Sequence, residues 1–144
     1  MFGNPSLMTR IVIGKGVGFI IGLIGFITMP VLFGETDIML RWGILLWYTT
    51  VGGFIGLFGV ITRHPVLRLP MPWWFRSSLV GAWMNFVLTL FIYDTLQSYM
   101  THIFGDNGAM SSPFWFVLEG AVVGLLIGFL ATRFGGEGEE TLGK

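Results

Sequence analysis

The chain has 144 residues, of which 53% are hydrophobic and only 11% are charged. A typical soluble domain carries about 25% charged residues, so this chain has too little charge to cover a water-facing surface, and we expect lipid to be its main solvent. Eight basic and eight acidic side chains give a net charge of zero, which provides no basis for nucleic acid as a partner. The absence of cysteine excludes disulfides, thiol catalysis and zinc–thiolate or iron–sulfur sites.

The apolar runs predict an all-α integral membrane protein, with one domain over residues 1–144 that forms a bundle of four transmembrane helices. About 20 apolar residues are enough for a helix to cross a hydrocarbon layer about 30 Å thick. The first two predicted spans cover about residues 11–33 and 38–62, and a short polar turn separates them. The last two cover about residues 77–98 and 113–133, and the glycine-rich, acidic tail 134–144 is predicted to be disordered.

Glycines recur on one face of three of these spans, at spacings of three or four residues. Small residues at such spacings let helix backbones approach closely inside lipid, where packing replaces the hydrophobic effect as the driving force. We therefore predict helix packing through glycine faces. The glycines are Gly18, Gly22 and Gly25 in the first span, Gly52, Gly56 and Gly59 in the second, and Gly120, Gly124 and Gly128 in the fourth.

The segment 63–76, between the second and third spans, contains three prolines, which exclude a continuous helix there. It also carries three arginines and two tryptophans, a composition typical of the headgroup level of a membrane. Two interpretations stay open: a loop whose aromatic residues anchor the third span, or a binding site for anionic lipid headgroups. The candidate headgroup residues are Arg63, Arg68, Trp73, Trp74 and Arg76.

The positive residues indicate the orientation of the predicted bundle. Seven of the eight lysines and arginines fall on one side, and only Arg41 falls on the other. The positive-inside rule therefore predicts that both termini and the 63–76 loop are cytoplasmic. The expected location is a bacterial inner (plasma) membrane.

Three charged residues, Arg41, Asp94 and Glu119, fall inside predicted spans near the outer side. Charges are costly inside a membrane, and pairing reduces that cost. We therefore predict an ion pair between Arg41 and Glu119, Asp94 or both. The alternative is that the two acids gather cations or relay protons.

Polar residues on the third span form a stripe through Ser78, Asn85 and Thr89. Such a stripe serves either as hydrogen-bonding contacts between helices or as part of a polar path. No enzyme motif is present in the sequence, and we expect no catalytic residue, no cofactor and no metal site. A haem ligated by His64 or His102 together with another chain stays open.

The leading functional prediction is a non-enzymatic integral membrane subunit, because glycine faces on three spans exceed what one small bundle needs. It would bind membrane lipids and either assemble with copies of itself or act as an accessory subunit of a larger membrane complex. The alternatives are a small cation- or proton-conducting transporter that uses Asp94 or Glu119, and a module that binds anionic lipids through the 63–76 loop.

Overall fold

The computed structural model describes residues 4–106 and 108–143, and across these ranges the chain contains helices and loops but no β-strand. The helices are α1 (Leu7–Phe33), α2 (Ile38–Phe58), α3 (Trp73–Phe91), α4 (Tyr93–Phe104) and α5 (Trp115–Gly135), with short 3-10 turns at Gly108–Ser111 and Glu139–Thr141. The predicted all-α fold is confirmed.

Three of the helices, α1, α2 and α5, are long and apolar enough to cross a membrane. The α3–α4 pair reaches the same criterion only when its two helices are taken together, and a bend of 99° separates them. The described residues therefore contain three candidate spans, or four if the bent pair counts as one.

The prediction of a single helix over about residues 77–98 was wrong, because two helices cover this range. The helix begins earlier, at Trp73, and breaks at Ile92, whose backbone (φ −119°, ψ 32°) lies outside the helical region. Beyond this break the sequence changes from nearly continuous apolar residues to an alternation of polar and apolar ones. A helix of that composition keeps one face on the bundle and the other on polar surroundings, which a straight continuation of α3 does not allow.

Glycine residues bring α1 and α2 into backbone contact. A Cβ atom added to Gly14 or Gly52 would overlap the carbonyl group of the other, and one added to Gly18 would overlap the carbonyl oxygen of Tyr48. Gly22 lies against Leu45, and Gly56 lies against the backbone of Arg10. The two helices therefore pack antiparallel along most of their length without intervening side chains.

A second glycine contact joins α3 to α5. Gly81 and Gly120 face each other through their backbones, and Gly124 packs on the carbonyl of Ser77. Gly128 receives the Ser77 side chain. The glycine faces of α1, α2 and α5 are thus occupied inside the chain, so the premise that they are in surplus was wrong. Two predicted packing glycines differ: Gly25 has only the Ile44 side chain near a Cβ position, and Gly59 lies against the Arg10 guanidinium.

One end of the bundle, which we call the arginine end, contains the start of α1 and α3 and the end of α2 and α5. Arg10 is 1% exposed there, and its guanidinium donates to the carbonyl oxygens of Gly56 (2.9 Å from Nε) and Gly136. It also donates to the Thr132 hydroxyl (Nη1–Oγ1 3.1 Å). Arg10 therefore binds carbonyl groups at the C-terminal ends of α2 and α5, where the helix dipole favours a positive charge.

The residues after α5 pack on the arginine end, so the prediction of a disordered tail was wrong as far as residue 143. The carbonyl of Gly59 accepts a hydrogen bond from the Gly138 amide (2.8 Å), and Thr141 is fully buried. Glu137 forms an ion pair with Arg76 (2.8 Å), which gives the tail a charged anchor as well as a backbone one.

At the opposite end, which we call the distal end, α4 lies across the turn between α1 and α2. The Tyr99 hydroxyl donates to Glu35 Oε2 (2.6 Å), and the Tyr99 ring stacks on Phe33 with 4.6 Å between ring centroids. The hydrogen bonds from Tyr99 and from the Asp37 amide lower the pKa of Glu35 below its ordinary value of 4.5.

Replacing Tyr99 with phenylalanine is expected to lower the Tm by a few degrees at neutral pH, because Glu35 loses its strongest hydrogen bond. Since the folded-state pKa of Glu35 is the depressed one, its contribution is present above pH 4.5 and is lost as the pH falls through the folded value. The difference in Tm between the wild type and the variant should therefore shrink in acid. Thermal unfolding in detergent at several pH values measures it, with Tyr93→Phe as the control. A difference that grew in acid would contradict this assignment.

Candidate functional site

A buried asparagine on α3 connects three helices near the middle of the bundle. The Asn85 side chain, 1% exposed, accepts a hydrogen bond from the Trp47 indole (3.1 Å) and donates one to the carbonyl of Phe116 (3.0 Å). Both groups of its amide are thereby satisfied in an apolar environment, where an unpaired amide would be costly. Asn85 therefore fixes the relative positions of α2, α3 and α5.

Glu119 lies one turn beyond Phe116 on α5. Its carboxylate accepts a hydrogen bond from the hydroxyl of Tyr48, which follows Trp47 on α2. The distance from the Tyr48 hydroxyl to Glu119 Oε1 is 2.5 Å. Across residues 4–106 and 108–143, no hydrogen bond reaches the second carboxylate oxygen. The carboxylate is therefore held in one orientation with an acceptor atom still available.

Glu119 and Tyr48 line a cavity of about 420 Å³ between α1, α2, α4 and α5, toward the distal end. A volume of this size is within the range of small-molecule sites, about 300–1,000 Å³. Apolar side chains form most of the wall. Those from α1 and α2 include Ile21, Ile24, Met29 and Ile44, and those from α4 include Leu96 and Met100.

Five aromatic side chains contribute to the same wall: Phe33, Tyr48, Tyr99, Trp115 and Phe116. The ring of Tyr48 meets that of Phe116 edge to face, with 6.4 Å between centroids. No lysine, arginine or histidine in the described part of the chain lines the cavity. The site therefore combines an apolar and aromatic wall with one acidic group.

The predicted ion pair between Arg41 and Glu119 or Asp94 is not formed, so this prediction was wrong. The Arg41 guanidinium donates to the carbonyl of Phe26 on α1 (2.9 Å from Nε and 2.7 Å from Nη2) and lies over the Phe26 ring, 4.2 Å from its centroid. Glu119 takes Tyr48 as its partner instead. The partners of the Arg41 guanidinium are therefore on α1, the helix that precedes α2 in the same hairpin.

Asp94 lies outside the cavity. It is an exposed residue of the first turn of α4, on a polar surface with Gln97, Thr101 and His102. The bend at Ile92 carries it away from the bundle, and its carboxylate interacts favourably with the α4 N-terminus. Of the three charges predicted inside the membrane, only Glu119 belongs to the candidate site.

The predicted polar stripe on α3 is brought only partly into the core. Asn85 and Thr89 are buried, and the Thr89 hydroxyl donates to the Asn85 carbonyl within the helix (2.7 Å). Ser78 is half-buried, and its neighbour Ser77 occupies the packed position against α5. The stripe therefore serves helix packing, and only Asn85 connects to the site.

The predicted headgroup segment is a compact turn followed by the start of α3. Its two ends meet at one isolated bridge between Arg63 and Pro70, and the amide of Met71 donates to the Thr62 carbonyl (2.8 Å). Arg63 and Arg68 are exposed, and Arg68 has a left-handed backbone (φ 55°).

The aromatic and basic residues that begin α3 divide between the surface and the interior. Trp74 is exposed, whereas Trp73 packs on Phe129 with 5.8 Å between ring centroids. Arg76 is 5% exposed and donates to the Ile61 and Met71 carbonyls as well as to Glu137. The prediction of a headgroup role was therefore wrong for Arg76, because its guanidinium is already bound inside the protein.

Sequence reasoning missed Tyr48, Trp47 and Arg10 as structural partners. The two aromatic residues carry no local signal, because tryptophan and tyrosine also mark membrane interfaces. Arg10 was counted only as a flanking charge, since a charge just before an apolar run most often faces the cytoplasm. No protein-family model, curated protein or solved structure matches this chain.

Proposed function

We propose that the chain is a four-span integral membrane protein that binds a lipophilic small molecule between its helices and catalyses no reaction. The observation that carries this proposal is the cavity of about 420 Å³ whose wall is mostly apolar and includes the Glu119–Tyr48 pair. Ligand sites are typically concave and apolar, with a few placed polar groups that set orientation. The cavity has that composition.

The proposed topology has four spans with both termini in the cytoplasm of a bacterial cell. At 1.5 Å per residue, the 19 residues of α3 extend about 28 Å, close to the thickness of the hydrocarbon layer. On this view α3 crosses alone, and the amphipathic α4 lies along the membrane surface at the distal end. The positive-inside rule then places the arginine end in the cytoplasm, at the plasma membrane.

The wall of the cavity includes residues that are exposed on the outer surface of the bundle. Ile24, Leu32 and Trp115 line it and are also exposed on the outer surface of the helices. In a membrane such positions contact lipid, so a lipophilic molecule can enter laterally from the outer half of the bilayer. Burial of its apolar surface in the cavity exchanges lipid contacts for protein contacts, and the polar pair adds selectivity.

Filling the cavity from Gly25 is expected to abolish binding. A Cβ atom at Gly25 meets only Ile44 Cγ2, at 3.7 Å, so a phenylalanine there has room to enter the cavity without separating helices. The probe is uncharged N-phenyl-1-naphthylamine, and energy transfer from the protein tryptophans measures its saturable binding in detergent. We expect saturable binding by the wild type and a loss of at least about tenfold in affinity for Gly25→Phe.

The matched control is Gly43→Phe, because Gly43 is also a helical glycine with no atom near a Cβ position, and it does not line the cavity. This variant should bind the probe like the wild type. Absence of saturable binding by the wild type would contradict the proposed function. Equal binding by Gly25→Phe and the wild type would contradict the assignment of the cavity.

Assembly with copies of itself or with other membrane subunits stays a prediction. This prediction was based on glycine faces in excess of what one bundle needs, and these faces pack inside the chain. A native-mass measurement that returned a strict monomer in mild detergent and in membranes would contradict it.

Two further functions stay predictions on narrower grounds. Binding of anionic lipid headgroups now depends on Arg63, Arg68 and Trp74, the exposed members of the predicted set. Cation or proton conduction depends on Glu119, the acid that reaches the cavity. A liposome flux unaffected by Glu119→Gln would contradict conduction.

A further inference from the structure

We infer that the cavity is selective for organic cations, molecules that carry a delocalised or quaternary positive charge on an apolar body. This inference depends on the proposed function, since it names the ligand class of the same site. Three features of the cavity carry it: the available oxygen of Glu119, the aromatic wall, and a wall to which none of residues 4–106 and 108–143 contributes a basic side chain.

The carboxylate of Glu119 favours a positively charged partner. An ionised group inside a membrane is costly unless it is paired, and a single hydrogen bond offsets only part of that cost. Tyr48 supplies that hydrogen bond to Oε1, and Arg41 is bound to the carbonyl of Phe26 instead. A cation in the cavity would pair with Glu119 and stabilise its ionised form.

The aromatic residues strengthen the preference for a cation. The faces of Phe, Tyr and Trp rings attract positive charge, an interaction worth about 0.5–2 kcal/mol according to the degree of desolvation. Phe116 lies one turn before Glu119 on α5, and Tyr48 is hydrogen-bonded to Glu119. Tyr99 and Phe33 form the wall nearer the distal end. The chain already contains one such contact, between Arg41 and Phe26.

The composition of the wall also separates organic from inorganic cations. Ca²⁺ and Mg²⁺ require six or more oxygen ligands from protein and water, whereas this wall offers one carboxylate, the hydroxyls of Tyr48, Tyr99 and Thr28, and otherwise apolar side chains. A hydrated metal ion would lose its water without replacement. An organic cation loses little hydration and buries its apolar substituents against the wall.

The test compares tetraphenylphosphonium with tetraphenylborate, two ions of nearly the same shape and opposite charge. Equilibrium dialysis of the detergent-solubilised protein measures the affinity for each, with protein-free micelles as the blank. We expect the wild type to bind the phosphonium at least about tenfold more tightly than the borate. Glu119→Gln should weaken phosphonium binding by at least about tenfold and leave borate binding unchanged or stronger.

Two further variants make the result specific. Asp94→Asn removes an acid on the polar surface of α4, outside the cavity, and should leave phosphonium binding unchanged. Glu119→Asp keeps the charge and should retain the preference for the phosphonium over the borate. It also replaces Glu119→Gln as the informative variant if the glutamine substitution lowers the yield of folded protein.

The outcomes separate this inference from the proposed function. Equal affinity for the two ions, or phosphonium binding unaffected by Glu119→Gln, would overturn cation selectivity while neutral-probe binding still upheld the cavity as a ligand site. If the wild type bound neither ion and no neutral probe, the proposed function itself would fail, and the inference with it.

Discussion

Replacing Gly52 with isoleucine is expected to separate α1 from α2 and to destabilise the protein by about 3 kcal/mol or more. A side chain at this position would overlap the carbonyl group of Gly14, which is backbone and has no alternative rotamer. Flexible side chains can move aside from an added group, but two helix backbones in contact can only move apart. Because Gly18 and Gly22 continue the same contact, the separation would extend along both helices.

Titration with sodium dodecyl sulfate, followed by circular dichroism, measures this loss in the free energy of unfolding. The matched control is Gly16→Ile, because a Cβ atom at Gly16 meets no atom within 4 Å. The control carries the same change in helix propensity and in apolar volume, and it should unfold near the wild-type midpoint. Similar midpoints for the two variants would show that backbone contact between α1 and α2 is not what stabilises this hairpin.

Replacing Arg10 with methionine is expected to cost a similar amount, about 3 kcal/mol. The substitution keeps much of the aliphatic volume but removes the donors to Gly56, Thr132 and Gly136. Those acceptors lie in a region where Arg10 itself is 1% exposed, so water does not replace the lost donors without rearrangement. Arg10→Lys should recover little of the loss, because one ammonium group does not match acceptors on two different helices.

The same unfolding titration measures the effect of the Arg10 variants, and limited proteolysis of residues 136–143 measures release of the tail. Arg63→Met is the control, because Arg63 is exposed and lies in the turn at the same end of the bundle. We expect faster cleavage of the tail in Arg10→Met and wild-type behaviour in Arg63→Met. An Arg10→Met protein as stable as the wild type would mean that the buried guanidinium contributes no net stability.

The all-α fold and the three candidate spans could be predicted because apolar run length is a local property of the sequence. The break at Ile92 could not be predicted from apolarity alone, since residues 77–98 still contain enough apolar side chains to suggest a span. The informative signal is the alternation of polar and apolar residues after Tyr93, where the helical sequence changes from mostly apolar to amphipathic.

The partner of Glu119 could not be predicted because the position of a residue within its own helix does not show which residues of another helix lie at the same level. Glu119 lies four residues after Trp115, where α5 begins, yet its partner Tyr48 lies ten residues after Ile38, where α2 begins. The helix ends are therefore not level. Arg41 is seven residues before Tyr48, about 10 Å along the same helix, and so it is too far from Glu119 to pair.

The glycine spacing predicted close helix packing correctly but not which helices would pack. Spacing places small residues on one face, and it contains no information about whether that face meets the same chain or another. Gly14 and Gly52 are in contact on neighbouring helices that a short turn joins, whereas a longer connection separates α3 and α5, which carry Gly81 and Gly120. The glycine contacts account for how the helices pack. They do not account for the cavity near Glu119.

Photolabelling tests most directly whether this cavity binds a lipophilic molecule. An aryl azide derivative of N-phenyl-1-naphthylamine would be activated on the detergent-solubilised wild type, with and without an excess of the parent compound, and labelled peptides would be identified by mass spectrometry. We expect the labelling that the parent compound suppresses to lie in residues 21–33, 44–48, 96–100 and 113–119. Suppressible labelling confined to other segments, or none at all, would contradict it.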